Sequence, residues 1–355
     1  MTSILFRCDG SPEIGLGHIV RCLALADELR DIHNCRISFA MRKGPLGIRM
    51  VEEKGYNVIT VRDTDHTFNY GTWLNECVRE VGAQMIVFDV RDGLRRPVVK
   101  ELRDNGILIV TIDDPEDKRL EADMAFYPPV PQIKRIDWTG FKGELYVGWE
   151  WVILRKEFSE WRKKQDGISQ SPMTNDVSAI KILVTMGGSD PQGMTLKAVK
   201  ALEMLDDDFE ATVVLGAGFQ HKKQLNNLLS ACKHCFDVRE NVQNMAELMA
   251  QSDLAVASFG VTAYELAAMG VPAIYLCLTE DHAESASAFV EEGMAISLGA
   301  FTHVTTEMIA TRISNVINNK SLLSELANNA RKYIDGQGVA RMSRLMVERF
   351  ETENG

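Results

Sequence analysis

Short runs of aliphatic and β-branched residues recur along the chain, separated by longer stretches with apolar positions every three to four residues. The short runs predict strands at 3–7, 36–40, 57–61, 85–89, 107–112 and 124–126, and again at 180–186, 211–215, 253–257, 273–276 and 295–298. The longer stretches predict helices; Ile19, Leu23 and Ala26, for example, fall on one helical face. The strands are apolar almost throughout, as expected when helices cover both faces of a parallel sheet. The alternation fails once, between Trp161 and Ser178, a polar stretch holding Lys163, Lys164, Gly167, Ser169, Ser171 and Pro172. No strand fits there, and it predicts a linker over 161–178. A new strand starts at Ile180, so the same kind of fold restarts. The expected division is a Rossmann-like domain over 1–160 and a second over 179–338. The stretch 322–350 reads as helical with a break at Gly336-Gln337-Gly338, and a last helix, 339–355, is expected to return to the first domain. Ligands of such sheets bind beyond the carboxyl ends of the strands, so two sheets facing each other predict one shared cleft lined by strand-to-helix loops.

With 355 residues, each half is long enough to bury its own core. Composition is ordinary for a globular protein, 45% hydrophobic and 25% charged, which excludes a disordered or fibrous chain. The 39 Lys and Arg against 50 Asp and Glu leave a net charge of −11, which argues against a general nucleic-acid binder. It leaves room for a local basic pocket. No apolar run approaches the roughly 20 residues that span a bilayer, and Met1–Phe6 reads as a strand rather than a signal peptide. Cys8, Cys22, Cys35, Cys77, Cys232, Cys235 and Cys277 are odd in number and sit mostly in apolar segments, so they read as reduced thiols of a cytoplasmic protein. Cys232-Lys-His-Cys235 is a C-x-x-C without a second pair, and reads as the end of a surface helix running into a strand. Composition says nothing about oligomeric state.

The first strand is followed by Arg7-Cys-Asp-Gly-Ser-Pro-Glu-Ile-Gly-Leu-Gly-His18. Gly15 and Gly17 permit positive φ and close backbone approach. His18 falls in the first turn of the next helix, where backbone N–H groups attract anions and favour an uncharged imidazole. A neutral imidazole at a cleft edge is a candidate general base. A dinucleotide loop with an incidental histidine is the alternative. It fits less well, because the third glycine of G-x-G-x-x-G would fall at Val20.

Three loops of the second half carry candidate chemistry. Met186-Gly187-Gly188-Ser189-Asp190-Pro191 suits a phosphate or a sugar hydroxyl, with Asp190 as helix N-cap and Pro191 at the first helical position. Ser258-Phe259-Gly260-Val261-Thr262 leads into a helix and could hold a diphosphate on backbone N–H groups. Glu265, one turn further, is suited to accept from two ribose hydroxyls, or is simply a charge favoured at a helix N-terminus. Thr279-Glu280-Asp281-His282 is expected beside that loop, or reads as a charged helix start with Asp281 near the cap. Asp206-Asp207-Asp208 reads as a solvated connector. Asp89, Asp92, Asp113 and Asp114 end two strands, but no spacing among them marks a metal site, and no metal or cofactor is expected.

The stretch Phe6-Arg-Cys-Asp-Gly-Ser-Pro-Glu-Ile-Gly-Leu-Gly-His-Ile-Val-Arg-Cys-Leu-Ala-Leu-Ala26 closely resembles the opening of the PseG family, the UDP-2,4-diacetamido-2,4,6-trideoxy-β-L-altropyranose hydrolases of pseudaminic acid biosynthesis. The resemblance continues through Gly148 to Phe158, Met186-Gly-Gly-Ser-Asp190 and Thr262-Ala-Tyr-Glu265. The second half also looks like the lipid II N-acetylglucosaminyltransferase family. These resemblances imply an α/β chain of GT-B type, two Rossmann-like domains facing across a cleft, acting without a metal on a UDP-sugar. They imply His18 as the base that activates water against the anomeric carbon. Gly17 and Arg21 would lie beside the sugar or its diphosphate, Ser258 to Thr262 on the diphosphate and Glu265 on the ribose. The family's Asp-His-Tyr is replaced by Asp89-Val90-Arg91, and its Asn-Gln by Asp281-His282. Both replacements fall among residues that face the sugar in that family. The expected activity is therefore UDP release from an amino- or deoxy-sugar other than the family's own, with a guanidinium at Arg91 suited to an acidic group. A glycosyltransferase using the same site and a non-catalytic nucleotide-sugar binder are the alternatives.

Overall fold

The computed structural model describes residues 1–10, 15–42, 44–61, 68–167, 179–240 and 242–354. Residues 11–14 of the His18 loop and 168–178 of the expected linker lie outside them. The chain divides into two units. The first comprises Met1–Pro129, Ile133–Arg155 and Gln337–Gly355, and the second Val130–Gln132 and Lys156–Gly336.

In the first unit, β1 (Ser3–Cys8), β2 (Arg36–Met41), β3 (Asn57–Thr60), β4 (Met85–Asp89), β5 (Leu108–Ile112), β6 (Met124–Tyr127) and β7 (Glu144–Val147) form a parallel sheet in the order β3-β2-β1-β4-β5-β6-β7. Alternate residues of the central strands face opposite layers. Ile4, Phe6, Phe39 and Val87 pack with Ile19 and Leu23 of α1 (Gly17–Asp31) and with Met342 and Met346 of α13 (Gly338–Asn354). Leu5, Ala40, Ile86 and Phe88 pack with Leu74 of α3 (Tyr70–Val81) and with Val99 and Leu102 of α4 (Arg96–Asp104). Strand order reverses direction between β1 and β4, where Cys8 lies in register with Asp89. That is the switch point at which such sheets open toward a ligand.

In the second unit, β8 (Ile180–Thr185), β9 (Phe209–Leu215), β10 (Phe236–Glu240), β11 (Leu254–Ser258), β12 (Ala273–Cys277) and β13 (Ala295–Ala300) form a parallel sheet ordered β10-β9-β8-β11-β12-β13. Its switch point lies between β8 and β11. From these two strands the chain runs into α6 (Met194–Leu202) and α9 (Val261–Met269).

Three local expectations are corrected. The sequence pattern gave no strand at β7 or β10. Both are sheet edges with mostly exposed side chains, so neither shows the apolar run of a doubly covered strand. The first seven residues of the expected linker are helical, as part of α5 (Lys156–Gly167). There Arg162 bonds the carbonyls of Ala268 and Arg331, an anchor that a reading of 161–178 as polar loop does not anticipate. Finally, Asp190 is not the residue flanking α6, and Pro191 is not its first position. The helix starts at Met194, after a turn in which Gly193 N–H bonds Asp190 O.

Candidate functional site

The C-terminal ends of β1 and β4 set the first group of side chains. Asp89, the last residue of β4, has no exposed side-chain surface. His18 and Arg21 reach it from the first two turns of α1. His18 Nδ1 lies 2.6 Å from Asp89 Oδ1, while Arg21 donates to both carboxylate oxygens at 2.5 Å in a fork. The Cys22 thiol, 3.5 Å away, also donates to Oδ2. Burial alone pushes the Asp89 carboxyl up, but the charges and hydrogen bonds of Arg21 and His18 outweigh it and hold it well below the usual carboxylate range. An ionised carboxylate only accepts, so the neutral ring carries its proton on Nδ1 and presents its lone pair at Nε2. The 3.1 Å approach of Arg21 Nη2 to Nδ1 is then two donors converging on one acceptor, not a bond between them. A carboxylate that orients an imidazole through Nδ1 is the arrangement that prepares Nε2 as a general base. Among the described residues no side chain caps α1, so its first-turn N–H groups reinforce the local positive potential.

Beyond this trio, Asp113 accepts from Arg91 Nη2 at 3.2 Å and faces Arg21 Nη1 at 3.5 Å. A second network lies beside β1. Arg7 is fully buried, donates to Asp9 and Asp92 at 2.7 Å each and to the Tyr70 hydroxyl at 2.6 Å, and stacks near Tyr70 and Trp73. Asp9 also accepts from the Arg42 N–H. This network fixes where the chain leaves β1 for the His18 loop. A third pairing, the buried Lys118 with Asp114, ties down the chain after β5.

At the second unit's switch point two loops meet. Gly187 has φ +74°, and a Cβ there would lie 3.5 Å from the Ser258 hydroxyl. Ser189 and Asp190 are both buried. The Asp190 carboxylate accepts from Met194 N–H and Thr195 N–H at 2.7 and 2.9 Å, so the N-terminus of α6 is already capped from within. The N-terminus of α9 is not. Gly260 precedes it at φ +154°, ψ −153°, a conformation open essentially to glycine alone, and no side chain among the described residues caps it. Of the two helix starts, α9 is the one whose N–H groups remain for an anion. Phe259 is buried among Tyr275 and Phe289, and its ring lies 6.3 Å from that of His282.

The predicted residues therefore fall into two groups. His18, Arg21 and Asp89 come together in the first unit, with Gly15 (φ +83°) and Gly17 leading into α1 and Arg91 joined through Asp113. Gly187, Gly188, Ser189 and Asp190 border Ser258 to Thr262 in the second. Glu265 lies one turn into α9 with only 5% of its surface exposed. Asp281 and His282 open α10 (Glu280–Glu291), whose cap is Thr279 rather than Asp281; the Gln132 amide takes up the Asp281 carboxylate. Of the other acidic residues, Asp92 answers Arg7 and Arg42, while Asp207 accepts from Ser314 and Asn318. Sequence reasoning gave no role to Arg7, Arg42, Tyr70 or Lys118, and took Asp113 only as a strand-end carboxylate that could line the cleft. Arg7 was visible as a guanidinium inside an apolar strand, a position that only paired carboxylates make tolerable.

These features define two parallel α/β units, each with its candidate loops at the switch point of its sheet, and the fold is GT-B. Among solved structures it matches Acinetobacter baumannii MurG at TM-score 0.72 and 15% identity, covering 98% of this chain and all of that one. The glycosyltransferase family 28 C-terminal domain matches residues 182–341. An uncharacterised Methanocaldococcus jannaschii protein, MJ1062, is 30% identical over 77% of this chain, which spans only 55% of that relative's length. The Bacillus subtilis spore coat polysaccharide biosynthesis protein SpsG is 24% identical over 97% of this chain and 98% of its own. The Campylobacter jejuni UDP-2,4-diacetamido-2,4,6-trideoxy-beta-L-altropyranose hydrolase is 23% identical over 82% of this chain and 98% of its own. Among the described residues, no helix is long and apolar enough to cross a membrane, and no group of three or more His, Cys, Asp and Glu is arranged to hold a metal ion.

Proposed function

We propose that the protein hydrolyses a UDP-linked amino- or deoxy-sugar at its anomeric carbon, in surface-polysaccharide or nonulosonic acid synthesis. The observation that carries this reading is the orientation of His18 by an ionised, buried Asp89. In the proposed reaction, His18 Nε2 takes a proton from water as the water oxygen bonds to the anomeric carbon. The bond from that carbon to the phosphate oxygen breaks, its electron pair leaves with UDP, and the configuration inverts. The second unit supplies the nucleotide anchor, with the N–H groups at the start of α9 on the diphosphate and Glu265 on the ribose. His18 is returned to its starting state by losing the proton to solvent.

An inverting glycosyltransferase is the second reading, favoured by the family 28 match over 182–341. It differs only in that an acceptor hydroxyl replaces water. The deciding experiment incubates the protein with a panel of UDP- and CMP-sugars, with and without candidate acceptors, and follows free nucleotide and free sugar. Release of UDP and reducing sugar in water alone supports hydrolysis, whereas release that requires an acceptor establishes transfer. UDP binding with no turnover across the panel leaves only a binding protein.

A further inference from the structure

We infer that Asp113 is a positioning residue for His18, acting through Arg21 and Asp89; this rests on the proposed role of His18 as base. Its carboxylate lies between two guanidiniums, 3.2 Å from Arg91 Nη2 and 3.5 Å from Arg21 Nη1. Arg21 turns its remaining donors, Nε and Nη2, onto Asp89, which in turn holds His18 Nδ1. The order Arg91–Asp113–Arg21–Asp89–His18 alternates in charge from the exposed guanidinium to the imidazole.

The backbone supplies the second observation. Asp113 has φ +50°, a left-handed conformation that disfavours side chains other than those of Asn, Asp and Gly. The neighbouring chain holds it there. Asp113 N–H bonds Phe126 O, the Tyr127 hydroxyl donates to Asp114 O, and the Asp114 carboxylate is taken by Glu116 N–H and by the buried Lys118. A glycine would adopt this geometry without strain but would bring no carboxylate to Arg21. Without that charge, Arg91 would lose its carboxylate partner, and the Arg21 fork on Asp89 would lose its outer anchor.

The test compares Asp113→Asn, Asp113→Glu and Arg91→Ala with the parent protein by thermal melting and by NMR of the His18 ring through a pH titration. Asn keeps the shape and tolerates the backbone angle, so Asp113→Asn should melt close to the parent. Its His18 signals should titrate at lower pH, because a negative charge near the imidazolium is gone. Arg91→Ala removes a positive charge from the same chain and should move the titration the other way, while Asp113→Glu should return it toward the parent. On any nucleotide sugar the parent turns over, Asp113→Asn should lower kcat by about tenfold to a hundredfold with KM nearly unchanged, and should displace the acid limb of the pH profile. A His18 titration and pH profile that are unmoved in both Asp113→Asn and Arg91→Ala would overturn the inference. If no sugar is turned over, the hydrolytic reading fails, yet the ring titration still decides the role of Asp113.

Discussion

At the scale of single residues, the pairing of His18 with Asp89 carries the proposed chemistry. His18→Ala should lower turnover by about a hundredfold to ten-thousandfold while UDP affinity, followed by calorimetry, stays close to the parent's. Glu265→Ala should do the opposite, weakening UDP about tenfold to a hundredfold through loss of a charged acceptor. Asp89 and Asp114 respond oppositely to acid. Asp89 is held below its ordinary value, so it stabilises the fold above that value, and its contribution is lost as pH falls below about 4. Burial pushes Asp114 up to about 6, partly offset by Lys118. Between about 4 and 6 the unfolded chain releases this proton while the folded one keeps it, so stability falls as pH rises through that window. Melting temperatures of Asp114→Asn should show a smaller decline than the parent across the same interval. The helix start at His18 was legible from its sequence neighbourhood, where Gly15 and Gly17 precede the apolar spacing of Ile19, Leu23 and Ala26. The histidine's partner was not assigned to it, because Asp89 lies 71 positions away and reaches it only when β4 pairs with β1.

At the scale of elements, the two helix starts of the second unit differ: α6 is capped by Asp190 and α9 by no described side chain. Asp190 spends its carboxylate on α6, so Asp190→Ala should cost about 1–2 kcal/mol of stability in a urea titration and leave UDP binding, proposed at α9, close to the parent's. Gly260→Ala should weaken UDP binding with a stability loss of about 1–3 kcal/mol, because no other residue adopts its backbone geometry freely. The doubly covered strands were readable because burial on both faces demands an apolar run, as in β4 with Met85-Ile-Val-Phe. The edge strand β7 was not readable. Its Tyr146 finds its apolar partner in Phe126 of β6, a stacking contact at 4.7 Å that no local pattern shows. The later half of α5 escaped for a related reason: the helix is polar overall, and Arg162 is anchored on carbonyls distant in sequence.

At the scale of the whole molecule, the first unit is discontinuous. The chain leaves it after Arg155 and re-enters at Gln337, and α13 then places Val339, Met342 and Met346 in the same core as Phe6, Phe39 and Ile19. Gly338 marks the re-entry, because a Cβ there would lie 2.0 Å from the Val152 carbonyl oxygen. Deleting residues 337–355 should strip hydrogen-exchange protection from β1 and α1 while β8, β11 and α9 keep theirs, since the removed core contacts belong to the first unit. This interleaving sets a sequence of events during synthesis on the ribosome. The amino-terminal sheet emerges early but must wait for α13 to be made, whereas the inserted half has all its own strands in hand before α13. The nascent amino-terminal half thus carries an open apolar flank until α13 is made, and chaperone dependence should track that flank rather than the inserted half.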